Sequence, residues 1–172
     1  MNKLSRGNQI LAAVLVVQII LTVVVLWPRG AAVAGGEKLF PALETAKVVT
    51  VSIRDAAGAS IQLASKAGEW VLASGGDYPA KGDTVTAFLD RLVAMTSDRI
   101  IAETTVSQKQ LKVADDDYNR LIEIEMEDGT QYGVFVGTAP TYGVSHVRVA
   151  GDNKVYLASN LTLTDASVTP SS

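Results

Sequence analysis

Residues 121–136 read LIEIEMEDGTQYGVFV, and this stretch decides the fold class. Its first half alternates apolar residues with glutamates, the pattern of a strand with one buried and one solvated face. Asp128-Gly129 then supplies a residue pair that favours a hairpin turn. The chain returns as a second apolar run from Tyr132 to Val136. The stretch therefore predicts an antiparallel hairpin with its glutamates toward solvent.

Further strands are predicted on both sides of this hairpin. Before it, three alternating runs joined by turns form a meander over residues 49–73, and residues 99–104 form another strand. After it, residues 144–149 and 154–158 form a last hairpin. We expect about eight mostly antiparallel strands in total.

One main helix is predicted between the meander and the later strands. Over about residues 84–96, apolar residues recur at helical spacing, namely Val85, Phe88, Leu89, Leu92 and Val93. A helix with one apolar face should lie on the sheet, so the expected class is α+β. About 125 residues are enough for one modest core.

The N-terminal segment carries no charge between Arg6 and Arg29, and residues 10–27 are apolar except for Gln18 and Thr22. As a helix, the 22 residues 7–28 would span about 33 Å, against a hydrocarbon core of about 30 Å. A transmembrane helix is therefore predicted over residues 10–28.

Flanking residues predict the orientation of this helix. Lys3 and Arg6 lie on the short N-terminal side, which favours a cytoplasmic N-terminus. Arg29 and Lys38 on the other side weaken that asymmetry without reversing it. Trp27 stands at the membrane interface, where amphipathic rings are enriched. We therefore expect the rest of the chain to lie outside the cytoplasm.

A cleaved signal peptide is the alternative to a membrane anchor. Residues 32–34 read AVA, the A-x-A form of a cleavage site. However, this predominantly apolar stretch of 18 residues exceeds the usual 7–15 of a signal h-region. An uncleaved signal anchor is the expected outcome.

Gln18 and Thr22 lie four residues apart and share one helix face. In lipid such groups hydrogen-bond a neighbouring helix, at about 0.6–2 kcal/mol, or are tolerated within a single helix. Both readings stay open. The segment has no histidine for a haem or pigment, and no cofactor is expected.

The predicted organisation has five parts. They are a cytoplasmic N-terminus (1–9), the transmembrane helix (10–28), a linker (29–38), an outer α+β domain (39–160) and a loose polar tail (161–172).

Composition excludes several classes of protein. The chain has no cysteine, which excludes a disulfide scaffold, a thiolate metal site, a cysteine nucleophile and a lipid-modified cysteine anchor. From Glu37 onward there are 12 Lys and Arg against 18 Asp and Glu, a net charge of −6. A nucleic-acid partner is not expected, because phosphate binding needs clustered cations.

Short motifs follow one another in an order that resembles the bacterial domain-of-unknown-function 4340 family over about residues 38–160. They are EWVL (69–72), YPA (78–80), FLDRL (88–92), VG (136–137), HVRV (146–149) and GDNKVYL (151–157). The resemblance implies an anchor in the bacterial inner membrane and a β-rich periplasmic domain. It also implies, for some members, genes beside gliding-type ABC transporter components. Many members carry a second module that this chain lacks, and no catalytic residue is carried over.

No catalytic or metal site is predicted from the residues. His146 is the only histidine, and on a strand its neighbour Ser145 points to the other face. We expect His146 on the surface or at an interface. The run at 115–117 is DDD without the glycine of a calcium loop, and we expect a solvated acidic loop that keeps strand ends apart.

Tyr78, Tyr142 and His146 form a candidate patch for contact with a partner, since loop tyrosines could gather at one end of the sheet. Tyrosine is favoured at interfaces. Trp70 and Phe88 are expected in the core.

We therefore expect a non-catalytic accessory subunit of a membrane complex, whose outer domain braces a partner. Its partners would be the membrane, neighbouring transmembrane helices and extracytoplasmic surfaces of other subunits. The first expectation for this complex is an energy-transducing assembly, either a photosynthetic reaction centre with antenna or a respiratory complex. This preference reflects which membrane assemblies are common and does not come from the sequence. The alternatives are an accessory protein of an ABC-type exporter and a membrane-anchored surface hydrolase.

Overall fold

The computed structural model describes residues 37–96, 99–159 and 161–169. The predicted transmembrane helix, with Gln18 and Thr22, lies outside these residues. So do the predicted interface residues Lys3, Arg6, Trp27 and Arg29. No helix in the described part of the chain is long and apolar enough to cross a membrane.

Nine strands and two helices are formed in the described ranges. The strands are β1 (Val48–Asp55), β2 (Ser60–Lys66), β3 (Glu69–Leu72), β4 (Tyr78–Pro79), β5 (Ile100–Ala102), β6 (Arg120–Met126), β7 (Gln131–Val136), β8 (Val144–Val149) and β9 (Val155–Ser159). The helices are α1 (Gly82–Val93) and α2 (Thr105–Gln110), with short 3-10 turns at Thr45–Lys47 and Ala73–Gly75.

The described strands form one antiparallel sheet in the order β4-β3-β2-β1-β6-β7-β8-β9-β5. The hairpin predicted from residues 121–136 is confirmed as β6 and β7, at the middle of the sheet. Gly129 takes a φ of +81°, and the Asp128 carboxylate accepts the Thr130 N–H at 2.9 Å. The backbone N–H of Thr130 lowers the pKa of Asp128. The alternation and the local turn therefore fix this register.

One face of the sheet carries the main core. Ile122 and Ile124 of β6 lie there with Val51 and Ile53 of β1. Helix α1 covers them with the buried side chains Val85, Phe88, Leu89 and Leu92. The predicted apolar face of the helix is confirmed, although α1 begins and ends slightly earlier than residues 84–96.

The opposite face is divided into a bare half and a covered half. Over β1, β2 and β6 it is polar, and the predicted exposure of Glu123 is confirmed. Over β7–β9 it is covered by residues 105–119, which we call the covering segment. Val113 of this segment is buried against Phe135 and Val155 in a second, smaller core.

The predicted loose tail is wrong for residues 161–169. Leu161 and Ala166 are fully buried in the main core, and the Arg120 Nε donates to the Ala166 carbonyl at 2.9 Å. Burial acts to raise the pKa of Asp165, but hydrogen bonds from Thr162 and Arg91 hold it below its usual range. Two buried apolar residues together with these polar contacts thus fasten the segment.

The strand missed by the sequence prediction is β4, which was expected to be loop. It pairs with β3 through Val71 opposite Pro79 and Leu72 opposite Tyr78. Two residues are too few to show alternation, so this edge strand has no periodic signal.

Candidate functional site

His146 lies on β8 with only 8% of its surface exposed, so the expectation of a surface histidine is wrong. Its Nδ1 lies 2.8 Å from the Thr138 carbonyl oxygen and 3.0 Å from the Thr138 hydroxyl. Because a carbonyl can only accept, Nδ1 carries the hydrogen in that bond. The ring is therefore fastened to the loop that joins β7 to β8.

Ser145 points to the opposite face of β8, as expected from strand geometry. Its hydroxyl donates to the Leu161 carbonyl at 2.7 Å and is fully buried. His146 and Ser145 therefore do not form a nucleophile–base pair, which needs both groups on one side.

Tyr142 stands in the loop of residues 137–143 and is completely exposed. The base of this loop is fixed by two hydrogen bonds. Thr138 accepts the His146 N–H at 2.9 Å, and its own N–H donates to the Leu111 carbonyl at 2.9 Å. The loop thus presents an aromatic ring to solvent from a well-anchored base.

Tyr78 lies on β4, the first strand in sheet order, whereas Tyr142 precedes β8, the seventh. With neighbouring strands about 4.8 Å apart, roughly 30 Å of sheet separates them. The single patch of Tyr78, Tyr142 and His146 is therefore not formed. Tyr78 is 72% exposed, so each tyrosine remains available separately.

Arg148 holds the covering segment on the sheet, a role that sequence reasoning missed. Its side chain is 2% exposed, and Nε donates to the Val113 carbonyl at 2.6 Å. One terminal nitrogen donates to the Asp152 carbonyl at 2.9 Å and the other to the Asp115 carboxylate at 2.7 Å. The guanidinium also lies over the Phe135 ring, 4.4 Å from its centroid. The available signal was an arginine that alternation places on the same face of the strand as His146.

The side chains of the three consecutive aspartates are exposed, as expected of a solvated loop, and each of them also forms an ion pair, which the sequence did not predict. Asp115 pairs with Arg148, Asp116 with Lys109 at 2.7 Å, and Asp117 with Lys112 at 2.9 Å. The hydrogen bond and charge of Lys109 lower the pKa of Asp116. Within the described ranges no cluster of His, Cys, Asp and Glu could hold a metal ion.

A depression of about 410 Å³ lies on the bare half of the sheet. Its polar lining includes Thr50, Ser52, Gln62, Glu123 and Glu125. Both glutamates project from the same strand, and the lining of the depression contains no other acidic residue. They therefore do not form a carboxylate pair across a cleft. The depression offers hydrogen-bonding groups. One of them, the Glu123 carboxylate, already forms an ion pair, with its Oε2 3.8 Å from a terminal nitrogen of Arg54.

A second depression, of about 310 Å³, lies beside β5 at the edge of the sheet. Leu39, Ile100 and Tyr156 line it together with charged residues. Burial raises the pKa of Tyr156 to about 12, and its hydroxyl donates to Asp152 at 3.1 Å. Ile100, which lines this depression, is 47% exposed.

A family model described as "Domain of unknown function (DUF4340)" matches residues 70–171. The chain belongs to this family. The DUF4340 match begins at Trp70 on β3 and includes α1, β4–β9, the covering segment and the Arg148 site. No curated protein and no solved structure matches the chain significantly. The resemblance inferred from the short motifs is thus confirmed.

Proposed function

We propose that this DUF4340 protein is a non-catalytic accessory subunit of a membrane complex. The charge-free N-terminal segment anchors it, and the loop of residues 137–143 contacts an extracytoplasmic surface of another subunit. The observation that carries this proposal is the complete exposure of Tyr142 on a loop fixed by Thr138 and His146.

A tyrosine held in this way is well suited to bind protein. Its ring brings a large contact area with few rotatable bonds, so little conformational entropy is lost when it is buried. Hydrogen bonds at the base of the loop further reduce the cost of ordering it on binding. Tyrosine is also one of the residue types enriched among interface hot spots.

The buried polar side chains support a structural role. His146 is bonded to Thr138, Ser145 to Leu161, and Arg148 to three separate groups. Gln108 donates to the Asn153 carbonyl at 2.9 Å. Each of these groups already serves the packing of one segment on another.

We expect Tyr142→Ala to weaken binding of the partner by about 2 kcal/mol, or about thirtyfold in Kd. The stability of the domain should not change, because the ring has no packing contact to lose. The measurement is copurification from solubilised membranes, followed by titration of the partner that is recovered. The matched control is Tyr78→Ala, which removes an exposed tyrosine on the edge strand β4, far from the loop of residues 137–143. Equal recovery of the partner by both variants would contradict the proposal.

The identity of the copurified subunits distinguishes the assemblies. Pigment or haem proteins in fixed stoichiometry would indicate an energy-transducing complex, and ATPase subunits would indicate an exporter. Recovery of the chain alone under mild solubilisation would overturn the subunit role.

The predicted transmembrane helix gives a second prediction. Gln18→Leu combined with Thr22→Val should weaken assembly by about 0.6–2 kcal/mol if that face bonds a neighbouring helix. Both replacements keep the segment apolar, so membrane insertion should be unchanged. Blue-native electrophoresis of the solubilised complex provides the measurement. The control is Leu21→Val with Val23→Leu, and a yield equal to this control would remove the helix contact.

A further inference from the structure

The strand β5 lies at one end of the described sheet, with β9 on one side and no described strand on the other. Residues 99–103 read RIIAE. Ile100 and Ile101 are 47% and 37% exposed, although isoleucine is among the residues most often buried. We propose that β5 pairs edge to edge with β5 of a second copy of this chain, antiparallel and centred on Ile101. Such a dimer does not require the contact made by the loop of residues 137–143.

The backbone of β5 is open to a further strand, whereas the other end of the sheet is not. There, β4 contains Pro79, which has no N–H to donate and is typical of edges that accept no further strand. On β5, Ile100 and Ala102 each have an opposite residue on β9, and Ile101 between them has none. In the described part of the chain, no backbone hydrogen bond joins residues 99–103 to a turn or loop. The backbone of Ile101 is thus available to a second chain.

The charges at the two ends of this run are complementary to a second copy of the same run. An antiparallel pair centred on Ile101 would place Arg99 of each copy opposite Glu103 of the other, and Ile100 opposite Ala102. Opposite charges directly across a strand pair stabilise it, and like charges destabilise it. A parallel pair in register would instead place arginine beside arginine and glutamate beside glutamate. The run therefore favours the antiparallel pairing.

Both charged side chains are free to form these pairs. Arg99 and Glu103 are exposed, and neither belongs to a salt bridge within the described ranges, where seven such bridges occupy other cations. From Glu37 onward the chain has a net charge of −6, so two copies repel each other at long range. A contact between copies is then favoured where opposite charges meet.

A three-residue strand offers few backbone bonds, so the dimer should be weak and is best captured by a covalent link. The chain has no cysteine, and Ile101→Cys therefore introduces a single thiol. Directly opposite Cα atoms lie about 4.5–5.5 Å apart in an antiparallel pair, within the range of about 4.4–6.8 Å for a disulfide. The purified full chain in mild detergent is oxidised at increasing concentrations, and the disulfide-linked dimer is measured by electrophoresis. The control is Tyr78→Cys, which places a thiol at a more exposed position on β4.

Charge reversal tests the register of the pairing. In the Ile101→Cys chain, Arg99→Glu and Glu103→Arg each turn two attractive pairs into two repulsive ones. Each should raise the concentration needed for half-maximal linkage by about tenfold. The two reversals combined in one chain should restore linkage. Mixing the two single-reversal chains, each with a different tag, should also restore linkage between them, because each supplies the charges that the other lacks. Both residues are exposed, so far-UV circular dichroism should be unchanged.

We expect several-fold more linked dimer from Ile101→Cys than from Tyr78→Cys at every concentration. Equal yields from these two variants would overturn the pairing of the β5 strands. Linkage at 101 that does not respond to either reversal would overturn it as well, since the copies would then meet in another register. Failure of both the double reversal and the mixture to restore linkage would likewise contradict the pairing of Arg99 with Glu103.

Discussion

Arg148→Ala should lower the free energy of unfolding by about 3 kcal/mol. Removal of the side chain leaves the carbonyls of Val113 and Asp152 without their donor, at about 1–3 kcal/mol for a buried acceptor. It also removes the cation–π contact with the Phe135 ring, which contributes about 0.5–2 kcal/mol to the free energy of unfolding. The Asp115 side chain is 78% exposed and can be solvated again, which keeps the loss below that of a fully buried pair.

Chemical unfolding of the purified chain, followed by far-UV circular dichroism, provides the measurement. Arg148→Lys retains the charge but cannot reproduce the planar three-way bonding, so an intermediate loss is expected. The matched control is Arg54→Ala, because Arg54 forms an exposed pair with Glu123 and should cost at most about 1 kcal/mol. Amide hydrogen exchange should show lost protection in the covering segment. If Arg148→Ala lowers the free energy of unfolding no more than Arg54→Ala does, Arg148 does not hold the covering segment on the sheet.

The central hairpin and helix α1 could be predicted from sequence because their signals are local. Each signal lies within a few residues of the chain: the alternation in β6, the turn at Asp128-Gly129 and the helical spacing around Phe88. The faces of β8 were also assigned correctly, since alternation places His146 with Arg148. Periodicity reports which residues share a face and carries no information on what covers that face.

The burial of His146 and Arg148 depends on contacts far apart in the chain. Arg148 and the Val113 carbonyl are 35 positions apart, and the covering segment carries a short helix and a charged turn with no period that relates it to β8. The separation of Tyr78 from Tyr142 likewise follows from the order of nine strands. Strand order is a long-range property that single-strand patterns leave open.

The second large effect concerns Gly137, which directly follows β7 and lies against the backbone of the covering segment. A Cβ there would lie 2.0 Å from the Leu111 carbonyl oxygen and 2.8 Å from the Lys112 carbonyl oxygen. Both contacts are to backbone, and the Leu111 carbonyl is held by the Thr138 N–H at 2.9 Å. No side-chain rotation can relieve the overlap, so one segment must move. We expect Gly137→Ala to cost about 3 kcal/mol or more.

Gly82→Ala is the matched control, since it adds the same methyl group at the start of α1. The nearest atom to that Cβ is the Trp70 Cδ1 at 3.8 Å, an ordinary contact. Alanine should therefore raise the free energy of unfolding, by up to about 1 kcal/mol, through its helix propensity. Unfolding midpoints measured side by side give the comparison, and a Gly137→Ala midpoint equal to that of the natural chain would contradict the close approach.

Combining Gly137→Ala with Arg148→Ala tests whether both act through the covering segment. If Gly137→Ala already lifts this segment from β7, the bonds from Arg148 to Val113 and Asp115 are lost in the single variant. The double variant should then lose less stability than the sum of the two single losses. Strictly additive losses would mean that the two substitutions disturb separate regions. In that case the close approach at Gly137 would not belong to the packing that Arg148 secures.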